Sequence, residues 1–246
     1  MISSGQNNNI CDLDTGVCEA PILSSDASAA QKKVSNLEIV YIGDPMCSWC
    51  WGISSVVKQL QSYCDEQGLS FSVVVGGLRP GGGDPWNDQF KNFLRHHWEE
   101  IGQRTGQAFR FSLFERSHFN YDTEPACRAV VTAGTLLNSK NDNNKTLYAL
   151  FADIQKKFYV DNADPGEEEF YRSICEDYGL SFEEFRRIFQ APETKKKTFE
   201  EFQRNRSWGV RGYPSFGLLK DGKFELLAVG FTDFERILER LKKGQA

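Results

Sequence analysis

The stretch YIGDPMCSWCWG, residues 41–52, holds two cysteines, Cys47 and Cys50, that are separated by two residues. This C-x-x-C spacing occurs in redox dithiols and as one half of a metal site. Two core thiols that lie close together by chance give the same pattern. The sequence around the motif therefore has to decide among three interpretations.

The segments on either side of the motif predict a βαβ unit. The apolar run LEIVYIG at 37–43 is typical of a buried strand. Apolar side chains then recur at helical spacing from Ile53 to Cys64. The β-branched run FSVVVGG at 71–77 predicts a second strand. A right-handed crossover is expected for such a unit, with its helix starting at or just after Cys47.

The rest of the chain divides into a helical part and a closing ββα part. Apolar stripes at helical spacing fill most of residues 86–207. Two β-type runs then flank Asp221-Gly222, a strong hairpin signal, and a last helical stripe follows. We predict an α/β fold of βαβ…ββα order, formed by 36–84 and 208–246, with a large helical insertion at 85–207.

Residues 1–35 are polar, rich in Ser, Asn and Ala, and show neither helical nor strand period. We expect a flexible tail here, with an ordered turn at most around CDLDTGVC. This tail carries Cys11 and Cys18. They are a candidate regulatory pair that exchanges with Cys47–Cys50, and the alternative is that both are exposed bystanders.

Composition narrows the classes of function. The chain has 246 residues and a formal net charge of -5, which argues against a nucleic-acid partner. It lacks an apolar run of the roughly 18 residues that span a membrane, and its N-terminus lacks the features of a secretory signal. We therefore expect a cytoplasmic protein with no membrane partner. In a reducing compartment its seven cysteines are not a disulfide framework.

The expected position of Cys47 and Cys50 at a helix start suits thiol-disulfide exchange. Backbone N–H groups and the helix dipole stabilise the thiolate of the first cysteine. The second cysteine, one turn later, can attack a mixed disulfide and release the product. A zinc site needs a second ligand pair, but His96 and His97 are adjacent and His118 is isolated. We predict no metal site, and a redox dithiol is the favoured interpretation.

A second feature, GVRGYPSFG at 209–217, places Pro214 just before the first strand of the closing hairpin. Proline donates no hydrogen bond to a strand ladder. With a cis bond before it, the backbone of Tyr213 turns toward an extended substrate close to Cys47. An ordinary trans proline at a strand edge is the alternative, and the sequence leaves the two open.

Together these motifs resemble the DsbA-like branch of the thioredoxin superfamily, and in it the cytoplasmic bacterial "predicted protein-disulfide isomerase" group. The segments DPMCSWCWG, GGLRPGG, HHWEEIGQRTGQAF and YDTEPACRAVV are similar to signatures of that group and come in the same order. The resemblance spans 37–243. It implies a thioredoxin-like fold with Cys47 as nucleophile, Cys50 as resolving cysteine and Pro214 as the cis-proline.

The resemblance also implies a protein disulfide reductase or isomerase that acts on protein or peptide disulfides. No cofactor is required, glutathione is a candidate reductant, and a donor of the thioredoxin or glutathione type supplies electrons. Kappa-class glutathione transferases and hydroxychromene carboxylate isomerases resemble the same architecture but generally carry serine at the reactive position. A non-enzymatic redox-sensing or metal-holding protein that uses Cys11, Cys18, Cys47 and Cys50 is the other alternative.

The dipeptide between the cysteines is Ser48-Trp49, whereas the periplasmic oxidases carry Pro-His. Without the positive charge of a histidine, we expect the pKa of Cys47 above DsbA's roughly 3.5 and closer to thioredoxin's roughly 7. Ser48, Trp49, Tyr213 and Pro214 are expected to contact the substrate, with Trp49 facing outward.

Further expectations concern Asp44 and three other cysteines. Asp44 is expected to cap the helix that follows it, and the alternative is that it helps to move the proton from Cys50. Cys64, Cys127 and Cys175 lie on apolar stripes and are expected to be buried.

Overall fold

Seven strands and nine α-helices occur in the computed structural model, which describes residues 11–19, 37–139 and 144–245. The strands are β1 Cys11–Asp12, β2 Val17–Glu19, β3 Glu38–Gly43, β4 Ser70–Val75, β5 Gly212–Tyr213, β6 Ser215–Lys220 and β7 Lys223–Val229. The central sheet has the order β4-β3-β6-β7, and β3 runs parallel to β4 and antiparallel to β6. Its inner strands β3 and β6 are almost fully buried, as apolar runs of this kind require.

The helices are α1 Ser48–Gly52, α2 Ser54–Gln67, α3 Asp88–Thr105, α4 Glu124–Ser139, α5 Asn144–Tyr159, α6 Arg172–Asp177, α7 Phe182–Gln190, α8 Pro192–Ser207 and α9 Phe234–Gln245. The single helix predicted after the cysteines is broken at Ile53, so α1 and α2 are separate. Across the described ranges, no helix combines the length and the apolar character that crossing a membrane requires.

The predicted α/β thioredoxin-like fold with a helical insertion is confirmed. Strands β3 and β4 with the helices between them form the βαβ part, and β6, β7 and α9 form the ββα part. The insertion shares their core, since the ring of Tyr41 in β3 lies 5.6 Å from Tyr148 and 5.8 Å from Phe151 of α5. The predicted boundaries therefore give the order of the parts along the chain. One hydrophobic core includes residues of the thioredoxin-like part and of the helical insertion.

Residues 11–19 contain the ordered turn expected around CDLDTGVC, and they have more structure than that turn alone. Strands β1 and β2 make a hairpin, and β2 pairs antiparallel with β5 to give a second sheet of order β1-β2-β5. The carboxylate of Asp12 closes the turn by accepting from the N–H groups of Asp14 at 2.8 Å and Thr15 at 3.1 Å. The remainder of the predicted tail, 1–10 and 20–35, lies outside the described residues.

The turn between β6 and β7 offers a test of the hairpin. Asp221 and Gly222 have φ of 51° and 76°, the left-handed pair that a two-residue turn requires. A Cβ on Gly222 meets no atom within 4 Å, so Gly222→Ala adds backbone strain alone. We expect a loss of about 1 kcal/mol of unfolding free energy, measured by urea denaturation. An unchanged urea midpoint would argue against this turn geometry.

Candidate active site

The turn between β3 and α1 brings the two cysteines to the end of the central sheet at which β6 begins. Cys47 is the N-cap residue of α1, and Cys50 lies one turn later within that helix. Both are free thiols without exposed surface. The thiol of Cys47 lies 3.8 Å from the carbonyl oxygen of Tyr213, to which it donates, and the Tyr213–Pro214 bond is cis. Two motifs that are far apart in sequence therefore meet at one sulfur atom.

Burial sets the acidity of Cys47 in this structure. It raises the pKa of the Cys47 thiol well above its ordinary value, and the neighbouring Cys50 thiol and the Asp44 carboxylate raise it further. A hydrogen bond from the backbone N–H of Cys50 acts in the opposite direction. In the closed arrangement, burial therefore disfavours the thiolate of Cys47, in the direction opposite to the effect expected from the helix start.

Asp44 is a buried carboxyl group behind Cys47 and does not cap α1, which has no side-chain cap. Its Oδ1 accepts from the N–H of Met46 at 2.8 Å, and its Oδ2 accepts from the N–H of Leu78 at 2.7 Å. The thiol of Cys127 in α4 donates to Oδ2 at 3.4 Å. Asp44 thus joins the active-site turn to the segment after β4 and to the insertion.

We expect Asp44→Asn to lower the pKa of Cys47, because the substitution removes a neighbouring negative charge that disfavours the thiolate. The pH dependence of Cys47 alkylation, followed in a Cys50→Ser background, measures this. The profile should move to lower pH. Glu66 is exposed, and Glu66→Gln serves as a control that should leave the profile unchanged. A profile that stays put or moves to higher pH would contradict the assigned role of the Asp44 charge.

The prediction that Trp49 faces outward is wrong. Its side chain is only 1% exposed, its rings lie 5.4 Å from the ring of Phe231, and the guanidinium of Arg104 stacks over it at 5.4 Å. Ser48 is buried too. Sequence reasoning missed Phe231 and Arg104, because neither stands near the motif in the chain nor carries a signature of its own.

Cys18 lies beside the site. In the strand register it faces Tyr213, and it belongs to the same buried cluster as Cys47, Trp49 and Cys50. Cys18 is disulfide-bonded. Its Cα partner in the hairpin is Cys11, whose side chain lies outside the described part of the structure. The proposed exchange between this pair and Cys47–Cys50 stays a prediction at this point.

The other three cysteines are free and buried, as predicted. Burial raises the pKa of Cys64 to about 12 and that of Cys175 to about 11, so both are weak nucleophiles. Within 11–19, 37–139 and 144–245, no three His, Cys, Asp or Glu side chains lie together as they would to bind a metal ion.

Comparison with known proteins places most of the chain in one domain family. Residues 38–242 match the model of the DSBA-like thioredoxin domain. A candidate protein disulfide isomerase from Nitrosomonas europaea is 30% identical with a TM-score of 0.75, over 85% of this chain and 98% of that chain. The ClpXP adapter protein SpxH of Halalkalibacterium halodurans is 22% identical over 227 residues, which is 88% of this chain and 69% of SpxH.

The cytosolic disulfide reductase DsbM from Pseudomonas aeruginosa is 26% identical with a TM-score of 0.67, over 85% of this chain and 100% of DsbM. DsbM with GSH gives 25% identity and a TM-score of 0.63, over 85% and 98% of the two chains. The family match covers most of the chain and includes both the C-x-x-C turn and the Tyr213–Pro214 segment. The chain therefore belongs to the DSBA-like thioredoxin domain family of thiol-disulfide oxidoreductases.

Proposed function

We propose that this protein reduces or isomerises disulfides of proteins or peptides, with Cys47 as nucleophile and Cys50 as resolving cysteine. The observation that carries the proposal is the 3.8 Å contact between the Cys47 thiol and the Tyr213 carbonyl. The contact brings Cys47, at the N-terminus of α1, next to a strand edge. An extended peptide can pair with such an edge. The same edge is then the place where a substrate disulfide meets the Cys47 sulfur.

The reaction has two exchange steps. The Cys47 thiolate attacks one sulfur of the substrate disulfide, which forms a mixed disulfide and releases the other sulfur as a thiolate that takes up a proton. Cys50, after losing its proton, attacks the Cys47 sulfur and releases the second substrate thiol. Two electrons pass to the substrate, and Cys47 and Cys50 end as a disulfide.

Cys47 has to become accessible before the first step. In the closed arrangement burial raises the pKa of the Cys47 thiol, and the thiolate is the attacking species. Movement of the segments around Trp49 and Tyr213 gives solvent and substrate access to the sulfur. We infer that the reactive state is more open than the one described.

We propose glutathione as the reductant that restores the dithiol, with two glutathione thiols oxidised to one disulfide. Support comes from the likeness to DsbM, a cytosolic reductase that has also been solved with GSH. That likeness supports a cytoplasmic location for this protein as well. No bound cofactor is needed for either exchange step.

Insulin reduction coupled to glutathione, glutathione reductase and NADPH tests the function. We expect NADPH consumption that depends on both the protein and insulin. A parallel assay for conjugation of glutathione to a small electrophile addresses the transferase alternative, and we expect no conjugation there. Conjugation without insulin reduction would instead assign the protein to that alternative.

A further inference from the structure

The β1–β2 hairpin, residues 11–19, occupies the strand edge at which the proposed function places the substrate. Cys18 pairs with Tyr213, and Glu19 pairs with Gly212, in antiparallel register. An extended peptide that adds to an exposed strand uses the same backbone N–H and C=O groups. The hairpin therefore lies on β5 as a substrate backbone would.

Two further contacts hold the hairpin from outside β5. The backbone N–H of Phe231, after β7, donates to the carbonyl oxygen of Thr15 at 3.2 Å. The guanidinium of Arg104, in α3, donates to the carbonyl oxygen of Leu13 at 3.0 Å. The side chains of Phe231 and Arg104 also pack against the ring of Trp49. The hairpin thus closes over the side chains next to the C-x-x-C motif.

Glycines give this docking site its close fit. A Cβ on Gly212 would lie 2.2 Å from Cγ1 of Val17, and a Cβ on Gly230 would lie 2.5 Å from its Cγ2. On the hairpin itself, a Cβ on Gly16 would lie 2.4 Å from Cβ of Phe231. At these contacts the main body and the hairpin each have a glycine where the other packs closely. The docking site on the main body therefore fits this segment.

The segment also presents a disulfide to Cys47. Cys18 is disulfide-bonded, whereas Cys47 and Cys50 are free thiols. The register sets Cys18 opposite Tyr213, whose carbonyl oxygen accepts from the Cys47 thiol. An oxidised sulfur and a reduced dithiol are therefore brought to the same residue within one buried cluster.

We propose that the hairpin is a tethered disulfide substrate of Cys47, so that Cys18 is part of a second redox centre of this chain. The inference rests on the proposed dithiol function. We take Cys11 as the partner of Cys18, because the two residues face each other in the hairpin register. This second centre passes electrons to and from Cys47–Cys50.

The electrons of this exchange pass between two cysteine pairs of the same chain. The Cys47 thiolate attacks the sulfur of Cys18, the Cys47–Cys18 bond forms, and Cys11 leaves as a thiolate that takes up a proton. Cys50, deprotonated in turn, attacks the Cys47 sulfur and releases Cys18, which is then protonated. Cys47 and Cys50 are oxidised to a disulfide, and Cys11 and Cys18 are reduced to two thiols. The reverse sequence returns both electrons.

A pair of matched variants tests which hairpin sulfur meets Cys47. Cys11→Ser/Cys50→Ser keeps Cys18 and Cys47, and Cys18→Ser/Cys50→Ser keeps Cys11 and Cys47. With oxidised glutathione as oxidant, we expect a Cys18–Cys47 disulfide in the first variant, formed at least ten times faster than any disulfide in the second. Trypsin reports it without reduction as a link between the peptides 1–32 and 34–58. No link in the first variant, or equal rates in both, would overturn the proposal.

Electron counting tests the exchange itself in the intact chain. Fully reduced protein, freed of reductant, is given excess insulin, and the protein thiols that become oxidised are counted by alkylation and mass spectrometry. We expect four in the wild type, two in Cys11→Ser/Cys18→Ser and none in Cys47→Ser. Two in the wild type would overturn the second centre and leave the proposed function standing. Insulin that stays unreduced by every form would instead remove the proposed function.

Discussion

Serine in place of Cys47 is expected to lower the rate of insulin reduction at least about 1000-fold, or about 4 kcal/mol of activation free energy. A serine oxygen cannot form the mixed disulfide on which both exchange steps depend. Cys50→Ser is expected to behave differently, because its Cys47 still attacks. That variant should show little turnover but should accumulate covalent adducts with the substrate.

Cys175→Ser provides the matched control for the loss of one thiol. Its sulfur is buried in α6, and burial raises its pKa to about 11, so it takes no part in exchange. We expect its rate to stay within about twofold of the wild type once an unfolding curve shows that the variant is folded. If Cys47→Ser reduced insulin at more than a tenth of the wild-type rate, another group would be the nucleophile.

The second large effect is expected from Gly16→Val, which should release the hairpin and raise the rate of Cys47 alkylation about 100-fold. Gly16 has φ +67°, a region that costs other residues about 1–2 kcal/mol, and the new Cβ lies against Phe231. Overpacking adds about 1–3 kcal/mol. A total near 3 kcal/mol lowers the ratio of molecules with a docked hairpin to molecules with a released hairpin by about two powers of ten. Iodoacetamide labelling of Cys47, measured in a Cys50→Ser background, reads the change.

Gly68→Val separates the release of the hairpin from general backbone strain. Gly68 also has a positive φ, +64°, but a Cβ there meets no atom within 4 Å, and it follows α2 on a different part of the chain. We expect this variant to alkylate Cys47 at the rate of its parent. Equal labelling rates in Gly16→Val and its parent would mean that the hairpin does not control access to Cys47.

The sequence predicts those parts of the fold that depend on patterns among neighbouring residues. The strand at 37–43, the helical stripe after Cys47 and the Asp221-Gly222 turn each depend on residues that are neighbours in the chain. The place of Pro214 beside the cysteines came from the family resemblance, since no local pattern links segments so far apart.

The parts that the sequence missed depend on contacts between distant segments. Strands β1, β2 and β5 have two or three residues each, too few for an alternating pattern to be visible. Trp49 was predicted to face solvent because nothing in its own segment indicates that Phe231 and Arg104 pack on it. The Cys127–Asp44 contact likewise joins α4 to the active-site turn, and only the folded chain reveals it.

The role of Cys47 is tested most directly by identifying the atom that attacks a substrate disulfide. The variant Cys11→Ser/Cys18→Ser/Cys50→Ser retains Cys47 together with three buried thiols, those of Cys64, Cys127 and Cys175. Incubation with insulin, followed by tryptic mapping without reduction, locates the covalent adduct. We predict an insulin chain on the peptide 34–58, at Cys47. An adduct on any other cysteine, or no adduct while insulin is still reduced by the wild type, would contradict this prediction.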